Sequence, residues 1–260
     1  MDLLLKALAT AAVVAGLLVL LRRAGPRFGG LAAALPLTSA PALFWLGVEQ
    51  GAPFAAEAAT SALLCTALTP LLVLVYGRLS LRHGPWRCLA AGLAAGALGV
   101  LGLQPWLGGS VMGGLVLAAT LSVIAVRLMP KPAATAPRPG RWHRELLLTA
   151  GVSALLTALI GPLVQMGGPS HCGLLAALPV VGMSTLHGLH GRQGAAVACR
   201  FLGGYLDGTA AKAVFLAVLA AALLALPAAT AWALALGAAL FTLVLLRQPP
   251  LRRRSAALTT

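Results

Sequence analysis

The chain is poor in charge and above all in acid: only 9% of its 260 residues are charged, with five Asp and Glu against nineteen Lys and Arg. A soluble domain carries roughly 25% charged residues, so this one could not cover its surface in water. Aromatic residues are also scarce, at 5%. The +14 formal charge therefore lacks the aromatic interleaving of a nucleic-acid platform, and no nucleic-acid partner is expected. Four cysteines, Cys65, Cys88, Cys172 and Cys199, show no C-x-x-C spacing and read as small packing residues. His171 beside Cys172, and His187 with His190 near Cys199, are too sparse a pattern for a metal, so no metal and no cofactor are expected. No phosphate-cradling G-x-x-x-x-G-K motif is present, so any energy source within the chain is a gradient.

What the chain has instead is apolar length. Hydrophobic residues make up 60% and the mean hydropathy is +0.94. A bilayer core is crossed by about 20 apolar residues in a helix. Such runs fall near 3–21, 31–48, 53–77, 86–104, 109–128, 146–165, 172–189, 195–224 and 229–246. Gly and Pro punctuate them, as at Ala24-Gly25-Pro26, Gln50 to Pro53, His83-Gly84-Pro85 and Gly167-Gly168-Pro169. The expected fold is all-α, a polytopic bundle of about nine spans, with ten as the neighbouring count.

The basic residues gather in clusters: Arg22, Arg23 and Arg27; Arg78, Arg82 and Arg87; Arg127 to Arg144; and Arg247 to Arg254. They follow spans one, three, five and nine, with His190 and Arg192 after span seven, while the loops after the even spans carry no Lys or Arg. Positive loops stay in the cytoplasm, which predicts an outside N-terminus and a cytoplasmic C-terminus. Lys6 precedes the first run without a small-x-small cleavage site, so that run is expected to be retained as a helix.

A shift of 143 residues lays Gly25–Gly51 over Gly168–Gly194 without a gap, and 12 of 27 positions are identical. The matches include Gly25/Gly168, Pro26/Pro169, Gly30/Gly173, Pro36/Pro179, Gln50/Gln193 and Gly51/Gly194. The copies occupy spans two and seven, an odd number of crossings apart, and so are expected to run in opposite directions. The resulting organisation is a first transmembrane repeat over 1–108, a connector helix over 109–128, and a basic Pro-rich cytoplasmic linker over 129–144. A second repeat over 145–247 and a basic tail over 248–260 complete it, giving a 4+1+4 arrangement of inverted repeats.

The repeat unit resembles the GlpM-like family of small inner-membrane proteins. The shared pattern is Gly30-Leu31 to Pro36, then Gly47-Val48-Glu49-Gln50-Gly51 and Glu57. The second copy has Gly173-Leu174 to Pro179, then Gly191-Arg192-Gln193-Gly194 and Arg200. The likeness covers about 60 residues per half. It implies a fold and a compartment, the bacterial inner membrane, rather than an activity, because that family has no firmly assigned substrate. This chain departs from the family in fusing two units in tandem.

Ionisable groups within spans cost ~2.5 kcal/mol or more near the bilayer centre and so mark function. Asp207, about twelve residues into span eight, is the first candidate, for a cation or a transferable proton. The alternative makes it the internal partner of Arg200, seven residues earlier on a similar helix face. Glu57/Arg200 and Glu49/Arg192 are equivalent positions in which an acid in one copy faces a base in the other, expected at opposite mouths; the alternative is interfacial snorkelling. Pro36 with Pro41, and Pro179, interrupt spans two and seven, which points to a binding site at the repeat interface. Thr38, Ser39, Ser184 and Thr185 beside those breaks are candidate binding hydroxyls, or bond back to the freed carbonyls. Gln50 and Gln193 are expected to cap the helix junctions; His187 and His190 near the inner mouth are candidates to titrate, the alternative being histidines satisfied within the fold.

Read together, these features describe a secondary transporter or exporter of a small polar solute, working by alternating access and coupled to protons through Asp207. Its partners are the bilayer and the solute, with homo-oligomer formation left open. The rival readings are an accessory scaffold protein of an envelope polysaccharide or lipid pathway, and a membrane-embedded lipid-modifying enzyme. The latter has only HGLHGRQG as a dense polar cluster, with no nucleophile and base at a telling spacing, so no enzyme is expected.

Overall fold

Turn residues set the ends of the helices. In the computed structural model, which describes residues 12, 26–36, 39–130 and 167–247, the chain folds into α1 (Pro26–Ala34), α2 (Ser39–Gln50), α3 (Ala52–Leu79), α4 (Pro85–Leu107) and α5 (Val111–Leu128). Beyond the linker follow α6 (167–177), α7 (Val180–Gln193), α8 (Ala195–Ala225) and α9 (Ala228–Arg247). Prolines open α4 and stand in the first turn of α3, where a missing N–H costs nothing. Ser110 caps α5, its hydroxyl accepting from the Gly113 N–H at 2.9 Å. Among the described residues there is no strand, and seven stretches are long and apolar enough to cross a membrane. Those stretches, Pro26–Gln50 and Gly167–Gln193 among them, match seven of the nine expected spans, with ends extended by a few residues. The expected spans 3–21 and 146–165, the linker beyond Pro130 and the tail lie outside the described residues.

The 143-residue offset of the sequence match recurs in the helix boundaries. Ala52 and Ala195 start α3 and α8, and Pro85 and Ala228 start α4 and α9, each pair 143 residues apart. The junctions ahead of α3 and α8 rest on Gly51 (φ 90°, ψ 168°) and Gly194 (φ 79°, ψ 179°), a region of backbone space that is essentially glycine's alone. Alanine at either position is expected to destabilise the fold by about 1–3 kcal/mol. Thermal melts of Gly51→Ala and Gly194→Ala in detergent check this, and Gly84→Ala, at ordinary φ with open space around the new methyl, serves as the neutral control.

The two long helices form the centre of the molecule and run antiparallel. Near one end the Ser80 hydroxyl lies 3.7 Å from the Cys199 thiol and Gly77 faces Leu202; further along, Cys65 stands within electrostatic reach of Lys212. Small residues let the interrupted helices close on them: Ala58 on α3 faces Gly173 of α6, and Gly204 and Gly208 on α8 face α1. The core accordingly divides in two, one part built on the first half of α3 with the second half of α8, the other on the converse. By contrast α4, α5 and α9 turn Leu98, Leu101, Met112, Val116, Leu240 and Phe241 outward. In water that would be untenable; in lipid it is the expected outer surface.

Each interrupted helix packs on the long helix of the other copy. A Cβ on Gly30 of α1 would strike the Phe201 carbonyl of α8, and a Cβ on Gly173 of α6 would strike the Ala58 carbonyl of α3. Gly30 and Gly173 are equivalent positions, and so are Ala58 and Phe201. The contact is therefore made twice, with the roles of the copies exchanged, as across a two-fold axis.

Candidate functional site at the crossing of two interrupted helices

Both expected breaks are present. α1 ends at Ala34, where the Leu35 N–H is shared between the Leu31 and Ala32 carbonyls at 3.2 Å each, and α2 starts three residues beyond Pro36. Pro41 is a correction to the expected pair of kinks: it lies inside the first turn of α2, where no N–H bond is lost. The second break is tighter, with the Leu178 N–H bonded to Leu175 and Pro179 itself leading into α7.

Beside the second break lies a residue not singled out from the sequence. Lys212 on α8 is 8% exposed, and its ammonium donates to the Ala177 carbonyl at 3.3 Å, the last residue of α6. A helix C-terminus presents unpaired carbonyls and the negative end of its dipole, so a cation there is stabilised. Among the described residues no carboxylate stands within ion-pair distance of it. The signal was available, since the rule that picks out Asp207 applies equally to a lysine five residues on. Pro70, within α3, was missed as well; it removes the N–H that would bond the Thr66 carbonyl, and the buried Thr66 hydroxyl has no partner.

The expected site residues fall into three groups. At the crossing, Ser39 and Thr185 are buried with no partner for their hydroxyls, whereas Ser184 is exposed and bonds back to Val181 at 3.1 Å; Thr38 lies outside the described residues. Asp207 is joined not to Arg200 but to Arg27 at the start of α1, at 3.3 Å, with side-chain exposures of 22% and 73%. The pair ties the start of α1 to α8. Glu57 and Arg200 sit near the starts of the antiparallel α3 and α8 and hence at opposite ends; Glu57 accepts from Ser170 at 3.1 Å.

At the end of the molecule where α7 meets α8, a second polar cluster joins the copies. The Tyr76 hydroxyl and His190 Nδ1 are 3.1 Å apart, and the His187 ring lies against Trp86 with centroids 4.2 Å apart. Glu49, Gln50 and Arg192 are exposed. Gln50 and Gln193 do not cap the junctions, a further correction: no side chain bonds the first turn of α3 or α8, and the carbonyls of Gly47 and His190 are met by the Gly51 and Gly194 backbone N–H groups. The glycines close the turns unaided, and the Gln193 side-chain oxygen has no partner. Among the described residues no three His, Cys, Asp or Glu side chains gather as metal ligands.

These features define a membrane protein, a helical bundle with apolar helices long enough to span the bilayer. Compared with known proteins, the chain matches no family model, no curated protein and no solved structure.

Proposed function

We propose that the chain is a secondary transporter or exporter of a small polar solute, built as two inverted four-span repeats around a connector span in a bacterial inner membrane. The observation that carries this reading is the pair of interrupted helices at equivalent positions, each seated on the other half's long helix, with the buried Lys212 at the second break. Inverted copies of nearly equal energy can exchange their conformations, which opens a central site to one side and then the other. The antiparallel course of α3 and α8 supports the inversion, and the GlpM-like likeness of the repeat unit supports the compartment. The N-terminus is outside and the C-terminus cytoplasmic, as the basic loops require. Proton coupling belongs to Asp207: protonating its carboxyl dissolves the pair with Arg27, one contact between α1 of the first copy and α8 of the second.

The test is twofold. Single cysteines at Gln50 and Gln193, in a chain with its native cysteines replaced, should react with a membrane-impermeant maleimide from opposite sides of intact spheroplasts; reaction from the same side would end the inversion. In proteoliposomes, solute flux should respond to an imposed proton gradient in the native protein and lose that response in Asp207→Asn.

A further inference from the structure

The geometry points to a small monoanion as the solute, bound at the crossing with Lys212 as its counter-charge. α1 runs parallel to α8 in steps of one turn: Gly204 meets the Arg27 carbonyl, and Gly208 meets the Leu31 carbonyl and Ala34. The next turn in that register sets Leu35, where α1 breaks, beside Lys212. The side chain of Lys212 reaches the other break, at Ala177. One lysine thus stands at both interruptions.

The electrostatics there are one-sided. A charge near the bilayer centre is costly and is normally paired. Lys212 has a neutral carbonyl as its hydrogen-bond partner, and an ammonium carries three N–H donors. α2, of 12 residues, and α7, of 14, begin beside the breaks and bring the positive ends of their dipoles. The Ser39 hydroxyl, at the first residue of α2 and fully buried, has no partner. Cation, dipoles and unspent donor together recognise an oxyanion such as a carboxylate or a singly charged phosphate. A monovalent cation is disfavoured because the carbonyl of Ala177 that would bind it already holds Lys212. In the first copy the position equivalent to Lys212 is Thr69, whose hydroxyl bonds back to Cys65 at 3.3 Å, so the crossing carries one ammonium and a single negative charge balances it.

This proposal rests on the carrier reading for passage of the solute but not for its binding, and the experiment separates the two. Thermal melts of the full-length protein in lipid nanodiscs are recorded with sodium formate, acetate, lactate, pyruvate or dihydrogen phosphate. Glycerol and choline serve as neutral and cationic counterparts. At least one anion should raise the melting midpoint of the native protein and of Lys212→Arg, and its affinity should weaken about 30-fold or more in Lys212→Met, the cost of removing one partner of a buried charge pair. Ser39→Ala should weaken it less. Helical circular dichroism and gel filtration establish that Lys212→Met is folded. The proposal is overturned if no anion stabilises the native protein, if Lys212→Met binds as tightly, or if choline or glycerol alone stabilises it. An anion that binds but shows no flux in proteoliposomes would leave the site and remove the carrier. Flux of a neutral or cationic solute, indifferent to Lys212, would do the reverse.

Discussion

Valine at Gly30 or at Gly173 is expected to be severely damaging, and the two should cost about the same. Each glycine lies where a first side-chain atom would occupy the space of a backbone carbonyl, that of Phe201 for Gly30 and of Ala58 for Gly173. A flexible side chain could swing aside, but a carbonyl within a 31- or 28-residue helix moves only if the helix moves. Overpacking against side chains already costs about 1–3 kcal/mol, so a collision with backbone should reach about 3 kcal/mol or more. Two neighbouring glycines supply the controls. Gly203 has nothing within 4 Å of a built Cβ, and Gly29 meets only the edge of the Phe201 ring at 4.0 Å. Alanine at Gly203 should be neutral or stabilising by up to about 1 kcal/mol, because the helix gains propensity without a clash. Melting midpoints of the four variants in one detergent test both the size of the effect and its symmetry. Tolerance of Gly173→Val beside collapse of Gly30→Val would show that the two contacts are not equivalent.

The second large effect is on motion rather than stability. The Ser80 hydroxyl, at the residue that ends α3, is 3.7 Å from the Cys199 thiol of α8. Ser80→Cys puts two thiols at that place, and a modest rotamer change brings them to disulfide distance. Oxidation then ties together the ends of the two helices that must separate if the copies rock. On the proposed carrier cycle, flux should fall to background under oxidant and return with dithiothreitol, while the control, Ser80→Cys with Cys199→Ala, stays active throughout. Undiminished flux in the cross-linked protein would rule out separation at this end as part of the cycle. The four native cysteines are free and buried, so the native protein should ignore the oxidant.

Much of the architecture could be read before any coordinates. Gly51 and Gly194, Pro36 and Pro179, and the turn at Gly84-Pro85 act on the backbone within a few residues, and their effects appear where the sequence puts them. Pro41 and the two glutamines were misassigned for the same local reason. A proline in a first turn breaks nothing, and glycine backbone N–H groups meet the last carbonyls of α2 and α7 before a side chain is needed. The partner of Asp207 was not legible. Arg200 is seven residues away in sequence, but Arg27, 180 residues away, is the one that α1 delivers to it.

By itself the sequence indicated a chain of long apolar helices, the turns that separate most of the described ones, and two similar segments each broken at an equivalent proline. Those properties depend on composition and on the backbone within a turn or two. Only the tertiary structure decided that each broken helix lies on the long helix of the other half, and that Lys212, unremarked among apolar neighbours, donates to the carbonyl at the break that ends α6. The reason is physical: a buried charge is assigned by what surrounds it in space, and here its surroundings come from α6, from α3 and from the register of α1 along α8.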